Sequence, residues 1–240
     1  LYGGQLPTGL GREAAGVVEA VGPGVRGLKA GDRVAYASPA PGAYADERVM
    51  PVGNLVPVPE GVSDRLAAAA LLKGMTAQVL LRRTYKVRKG TAVVVHAAAG
   101  GVGSILVQWA LHLGAHVIAV VGSDAKATTV RAMGCKDVLI QGRDDLAARV
   151  RELTGGQGAH VVYDSVGKDT FFASLDSLRP LGLMVTYGNA SGPVPPLAPL
   201  ELARRGSLFL TRPVLFSYVS KRADLLRSAA ELFDVIGRGI

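Results

Sequence analysis

The chain has 240 residues, of which 49% are hydrophobic and 19% charged, and its mean hydropathy is +0.28. This composition indicates a folded globular protein and excludes a disordered chain. Charged and turn residues interrupt every apolar run before it reaches the roughly 18 residues that a membrane helix needs, so we expect no membrane span. The net charge of +8 suits a polyanionic partner, but the Lys and Arg residues are dispersed, which favours a soluble protein over a nucleic-acid binder.

The two ends and the single cysteine set further expectations. The sequence begins at Leu1 without an initiator methionine and stops at Ile240 just after a helical segment, so we expect a fragment trimmed at both ends. No secretion signal is recognisable at the amino terminus. Cys135 is the only cysteine, which excludes an intrachain disulfide and a multi-cysteine metal site. We therefore expect a cytoplasmic protein.

The first part of the chain is predicted to be a β-rich, irregular module. Short strand-like runs at Ala15–Val21 and Arg33–Tyr36 are separated by clusters of Gly and Pro, which are typical of turns. Helical periodicity begins near Ser63, a residue type that caps helices. The first module is expected to end at residue 73.

Beyond Gly90 short apolar runs alternate with amphipathic segments, which predicts βαβ units and a doubly wound parallel sheet, an α/β fold. The strand-like runs are Ala92–His96, His116–Val121, Asp137–Ile140, His160–Tyr163, Leu183–Tyr187 and Leu208–Thr211. The helical segments are Val102–Leu113, Asp124–Met133, Asp145–Thr154, Asp169–Leu178 and Leu197–Arg205. Residues 74–213 are assigned to this domain. Residues 214–240 add a helix at Lys221–Gly237, expected to return toward the first module.

The first crossover contains a glycine-rich loop, Ala98-Ala99-Gly100-Gly101-Val102-Gly103, in the GxGxxG frame, with Ala98 at the first glycine. A strand before it and a helix after it are the context of a dinucleotide-binding loop. At the end of the second strand an NAD-binding protein carries a carboxylate for the ribose hydroxyl. Here Gly122 and Ser123 hold that position and Lys126 follows, which favours the 2′-phosphate of NADPH. Asp124 lies close enough to keep NADH as an alternative.

Seven stretches, in order along the chain, match one family pattern. They are Gly11–Gly16, Gly31–Val34, Lys73–Thr76, His96–Gly103 with Gln108, Tyr163–Gly167, Gly188–Gly192 and Thr211–Pro213. By these stretches the chain resembles the zinc-free quinone oxidoreductases related to zeta-crystallin, in the medium-chain dehydrogenase/reductase superfamily. The resemblance implies that residues 1–73 are part of a GroES-like catalytic domain and that residues 74–213 form a Rossmann domain that binds NADPH.

The resemblance also implies roles for individual residues. Gly100, Gly101 and Val102 would contact the pyrophosphate, and Gly122, Ser123 and Lys126 the adenosine ribose phosphate. Gln141 stands where the family usually has an aromatic residue near the adenosine. The remaining implied cofactor contacts are Thr76 at the nicotinamide ribose, Tyr187, Gly188 and Ala190 at the nicotinamide, and Arg212 and Pro213 in the cofactor wall. Tyr2 is the one remnant of the substrate pocket and the candidate catalytic residue.

The expected activity is zinc-independent hydride transfer from NADPH to a quinone or similar electron-poor carbonyl. Zinc-dependent relatives have Gly-His-Glu where this chain has Gly11-Arg12-Glu13, and one cysteine cannot form a four-cysteine site. Two alternatives stay open: a zinc-free reductase of enones or other activated double bonds, and a nucleic-acid-binding protein like zeta-crystallin. The resemblance further implies a homodimer, paired through the edge strand at Leu208–Thr211.

Overall fold

The computed structural model describes residues 7–240, which form two compact units. One unit contains the chain up to Val79 together with Leu215–Ile240, and the other contains Leu80–Val214. The division falls a few residues after the predicted boundary at 73, because helix α1 (Asp64–Gln78) runs on into a π-helical segment, Val79–Thr84.

The first unit is built on a three-stranded antiparallel sheet in the order β1-β2-β3. Its strands are β1 (Glu13–Val17), β2 (Arg33–Ala37) and β3 (Val56–Pro57), and a 3-10 turn covers Val52–Asn54. Strand β1 ends at Val17, earlier than the predicted Val21, because only its residues from Glu13 to Val17 pair with β2. Ser63 accepts a hydrogen bond from the Leu66 amide at 3.2 Å, as a helix cap does, so that prediction is confirmed.

A second helix completes the first unit. After the short α7 (Leu215–Tyr218), helix α8 (Arg222–Gly237) packs on α1, where a side chain at Gly74 would lie 2.3 Å from Leu232. The Ser228 hydroxyl donates to the Gln78 side chain at 2.9 Å, and Gln78 donates to Glu231 at 2.9 Å. These buried polar contacts fix the register of α8 on α1.

The second unit is a six-stranded parallel sheet in the order β6-β5-β4-β7-β8-β9, which confirms the predicted α/β fold class. The strands are β4 (Ala92–Val95), β5 (His116–Val121), β6 (Asp137–Ile140), β7 (Ala159–Asp164), β8 (Leu178–Thr186) and β9 (Phe209–Thr211). The helices are α2 (Gly101–His112), α3 (Asp124–Ala132), α4 (Leu146–Leu153), α5 (Phe171–Asp176) and α6 (Leu200–Arg204).

The strand order changes direction between β4 and β7, and such a switch point is where open α/β sheets bind ligands. Buried aliphatic residues such as Val94, Ile118 and Met184 form the core under this edge. Strand β8 starts at Leu178 instead of the predicted Leu183, because Leu178 pairs with Ala159 before a register shift. None of the helices within residues 7–240 combines the length and the apolar character needed to cross a membrane.

Candidate functional site

The glycine-rich loop leaves β4 through a left-handed residue and enters α2 without a side-chain cap. Ala97 has a φ of 48°, and Gly100 is the N-cap residue of α2. A Cβ atom at Gly103 would lie 2.2 Å from the Ala97 carbonyl oxygen, and one at Gly100 would lie 3.0 Å from it. Only glycine fits at Gly103, because the helix start lies directly against the backbone of the loop.

This helix start has the chemistry of an anion site. The first amides of a helix lack intrahelical partners, and no side chain of the N-cap residue takes their place here. The helix dipole adds a partial positive charge at the same end. A phosphate group fits these free backbone amides. They include the amides of Gly101 and Val102, which were predicted to contact the pyrophosphate.

The second set of predicted contacts, to the adenosine ribose phosphate, lies at the end of β5, where the backbone at Gly122 is not covered by other atoms. A Cβ atom at Gly122 would meet nothing within 4 Å. The Ser123 hydroxyl caps α3 and accepts from the Lys126 amide at 3.4 Å. The Lys126 side chain is exposed. Ser123 thus has a structural role as a cap, whereas the Lys126 ammonium is available to a ligand.

Arg143, which the sequence analysis did not select, lies in the turn after β6 and reaches the end of β5. Its Nη1 and Nη2 donate to the two carboxylate oxygens of Asp124 at 3.2 and 3.0 Å. The hydrogen bonds and charge of Arg143 lower the pKa of the Asp124 carboxyl. Because adjacent parallel strands end at the same edge of the sheet, Arg143, two residues after Gln141, could have been predicted from the sequence to lie near Asp124.

A cavity of about 240 Å³ lies beside this edge of the sheet. Gln141 and Gly142 line it on one side, and Asp169 and Thr170 at the start of α5 line it on another. Gln141 is exposed, and its backbone amide donates to the Val121 carbonyl at 2.9 Å. Gln141, which was predicted to lie near the adenosine, thus lines a cavity next to the ends of β5 and β6.

A buried polar cluster connects the glycine loop to α5. The Ser174 hydroxyl lies 2.9 Å from Nε2 of His96, the residue that follows β4, and it donates to Asp164 at 3.3 Å. Thr170 also donates to Asp164, at 2.7 Å. The same carboxylate accepts the amides of Val166 and Gly167 at 2.7 and 3.1 Å. Asp164 therefore joins the turn after β7 to α5.

His96 is a buried histidine next to the Asp164 carboxylate. Burial lowers its pKa, and the nearby Asp164 charge opposes that shift only in part. Its side chain is almost fully buried, and Nδ1 has no hydrogen-bond partner within the described part of the chain. In the sequence His96 stands at the start of the stretch His96–Gly103, and that motif alone does not reveal its contact with Ser174.

A second group of predicted residues meets at the ends of β8 and β9. Arg212 donates to the Thr186 hydroxyl at 3.1 Å and to the Gly188 carbonyl at 2.8 Å. A Cβ atom at Gly188 would lie 2.4 Å from the Ser165 carbonyl oxygen, so this turn also needs glycine. Burial raises the pKa of the Tyr187 hydroxyl far above its usual range. The Arg212 side chain thus connects the segment after β9, which contains Pro213, with the segment after β8, which contains Ala190.

Two predicted site residues precede the second unit in the sequence. Thr76 lies on α1, where its hydroxyl donates to the Leu72 carbonyl at 2.7 Å. Tyr2 lies outside the described residues. Their predicted roles stay predictions.

The described residues also bear on metal binding and thiol chemistry. Within residues 7–240, no three His, Cys, Asp or Glu side chains form a group that could hold a metal ion. Cys135 is buried, and burial raises the pKa of its thiol to about 11. A thiol with so high a pKa is a poor nucleophile.

A parallel sheet with an uncapped glycine loop at its switch point defines a dinucleotide-binding domain of the oxidoreductase type. Comparisons with known proteins agree. The family described as "Zinc-binding dehydrogenase" matches residues 101–231, and "Alcohol dehydrogenase GroES-like domain" matches residues 1–60.

Individual relatives are similar over nearly the whole chain. A 2-haloacrylate reductase of a Burkholderia species is 48% identical over 240 residues, which are 99% of this chain and 72% of that protein. Quinone oxidoreductase 1 of Escherichia coli K12 is 46% identical over 236 residues, 98% of this chain and 72% of the relative. The crystal structure of an Escherichia coli quinone oxidoreductase complexed with NADPH has a TM-score of 0.95 at 45% identity, covering 99% of this chain and 73% of that one.

The chain belongs to the quinone oxidoreductase family of the medium-chain dehydrogenase/reductase superfamily. The predicted resemblance is confirmed.

Proposed function

We propose that this protein binds NADPH and catalyses the reduction of a quinone or similar electron-poor carbonyl without zinc. The observation that carries the proposal is the end of β5, where the Asp124 carboxylate is paired with Arg143 while Lys126 is exposed. An NADH-binding site would instead direct a carboxylate at the ribose 2′-hydroxyl. The quinone oxidoreductase from Escherichia coli, crystallised with NADPH, supports the same cofactor.

The cofactor contacts follow the geometry of the sheet edge. The helix start at Gly100, Gly101 and Val102 receives the pyrophosphate. Gly122, Ser123 and Lys126 face the adenosine ribose phosphate, and Gln141 faces the adenosine. The proposed contacts of the second unit with the nicotinamide side are Tyr187, Gly188, Ala190, Arg212 and Pro213. For Thr76 and Tyr2 we propose the roles that the family resemblance implies, at the nicotinamide ribose and in substrate binding.

Hydride transfer requires the protein mainly to position the cofactor and the acceptor. When bound, the nicotinamide supplies the hydride, and the protein orients it and excludes water. A quinone needs no strong general acid, because the charge of its reduced oxygen is delocalised over the ring. This fits a site to which the sequence assigns no pair of acid and base side chains. We also propose a cytoplasmic location, since a single buried thiol requires no oxidising compartment.

The first prediction tests cofactor and acceptor together. NADPH should bind more tightly than NADH, by about tenfold or more, since charge-assisted contacts to a phosphate contribute roughly 1.5–3 kcal/mol. Fluorescence titration measures both dissociation constants. Loss of NADPH absorbance on adding 1,4-benzoquinone, unchanged by a chelator, measures the reaction.

A second acceptor belongs in the same assay. The Burkholderia relative is named for reduction of a 2-haloacrylate, which has an electron-poor double bond. Faster turnover with a 2-haloacrylate than with any quinone would favour the activated-alkene reductase. Equal affinity for NADH and NADPH would contradict the proposed cofactor preference.

We further propose a homodimer formed through β9, the edge strand of the sheet. Phe209 is 60% exposed and Leu210 is 38% exposed, and an apolar edge with unpaired backbone groups favours pairing with another strand. Two copies of β9 related by a two-fold axis would continue the sheet across both subunits.

The second prediction is therefore a dimer mass in light scattering at micromolar concentration. Replacing both Phe209 and Leu210 with Asp should shift the mass to that of a monomer, because two charges would be buried without partners. Leu66→Asp, at a similarly exposed residue of α1, is the matched control and should stay dimeric. A monomeric unmutated protein would refute this assembly.

A further inference from the structure

The Arg143–Asp124 pair lies where the adenosine ribose is expected. Asp124 is the first residue of α3 and directly follows the end of β5. Arg143 comes from the turn after β6, which is the neighbour of β5 in the sheet. Two strand ends thus supply one acidic and one basic side chain to the same part of the edge.

The pair alters the charge that a ligand meets there. A free carboxylate at Asp124 would repel a phosphate and attract a ribose hydroxyl. Both carboxylate oxygens of Asp124 instead accept from the guanidinium of Arg143. Nη1 and Nη2 are the Arg143 atoms in these bonds, and a guanidinium has five N–H donors, so donors remain for a second anion.

We propose that Arg143 is a specificity-determining residue that, with Lys126, binds the 2′-phosphate of NADPH while neutralising Asp124. The inference rests on the proposed NADPH function and adds a residue to it. Lys126 would approach the phosphate from the first turn of α3, and Arg143 from the turn after β6, which is a geometry that one cation alone does not provide.

Because the pair is exposed, a small rearrangement of Arg143 to accept a second anion costs the fold little. The Arg143 side chain is 59% exposed and the Asp124 side chain 79% exposed. Ion pairs that exposed contribute little to folding stability. A phosphate dianion attracts the guanidinium more strongly than a carboxylate does, and it accepts a bidentate contact. Arg143 can therefore direct its remaining donors at the phosphate, at little cost to the fold, while it stays next to Asp124.

The third prediction concerns Arg143→Ala. The dissociation constant for NADPH should rise at least tenfold, while that for NADH should stay unchanged or fall slightly. Isothermal titration with 2′,5′-ADP and with 5′-ADP isolates the phosphate, and only 2′,5′-ADP should lose affinity. Lys126→Ala should behave in the same direction. Arg238→Ala removes an equally exposed arginine from its pair with Asp234 and should alter neither ligand, which controls for net charge.

Asp124→Asn separates the two roles of Arg143. Binding of 2′,5′-ADP should stay the same or tighten in this variant, and Arg143→Ala should weaken it in either background. If Asp124→Asn removes the effect of Arg143→Ala, Arg143 only masks a carboxylate and the inference is wrong. Equal losses for 2′,5′-ADP and 5′-ADP in Arg143→Ala would also overturn it. If the unmutated protein binds NADPH no better than NADH, the proposed cofactor preference fails as well, whereas a preference unaffected by Arg143→Ala refutes only this inference.

Discussion

Gly103→Ala should nearly abolish dinucleotide binding and destabilise the second unit. The added Cβ atom would lie 2.2 Å from the Ala97 carbonyl oxygen and 2.9 Å from the Ala97 carbonyl carbon. These are backbone atoms, so no side-chain rotation relieves the overlap and the loop or α2 must shift. Overpacking of this kind costs about 1–3 kcal/mol, occasionally more. A displaced helix start also loses charge-assisted contacts to the pyrophosphate, which predicts an affinity loss of about a hundredfold.

Thermal unfolding and NADPH titration measure the two effects of Gly103→Ala. Gly237→Ala is a suitable control, because a Cβ atom there meets nothing within 4 Å and the residue ends α8. The control should keep both the melting temperature and the NADPH affinity. Unaltered NADPH affinity in Gly103→Ala would mean that the glycine loop is only a turn.

Most of the second unit could be predicted from the sequence because its strands are short, apolar and bounded by turn residues. The predicted strands His116–Val121 and Asp137–Ile140 have the same bounds in the structure. Helix α6 begins at Leu200 instead of the predicted Leu197, since Pro199 is its N-cap residue. Strand β8 was predicted too short because Pro180 and a left-handed Leu181, with a φ of 60°, interrupt the apolar pattern inside it.

The candidate site was predictable where a motif has a local spacing. The loop from Gly100 to Gly103 follows from residues of the first crossover, and the exposed Lys126 from residues of the second. Arg143 was missed because its contact depends on the adjacency of β5 and β6, which a linear motif does not specify. The link between His96 and Ser174 joins residues 78 positions apart and needs the parallel pairing of β4 with β7.

Asp164 is the acceptor on which that buried link depends. The residue is fully buried, and two backbone amides and two hydroxyls donate to its carboxylate. A buried carboxylate is tolerated only when hydrogen bonds satisfy its oxygens. Because Ser174 also contacts His96 before the glycine loop, the cluster couples the turn after β7 to the end of β4 from which the glycine loop leaves.

Asp164→Ala should therefore lower the free energy of unfolding by about 3–5 kcal/mol. The substitution leaves several buried donors without an acceptor. Each such donor costs about 1–3 kcal/mol, and relaxation of the structure recovers part of the total. Asp164→Asn is the matched control. Its side-chain oxygen can still accept the Val166 and Gly167 amides, and its amide group can donate to the hydroxyls of Thr170 and Ser174 after they rotate. Chemical denaturation should place Asp164→Asn between the unmutated protein and Asp164→Ala. Equal stability of all three proteins would show that the hydroxyls and amides find other partners and that the cluster does not hold the turn in place.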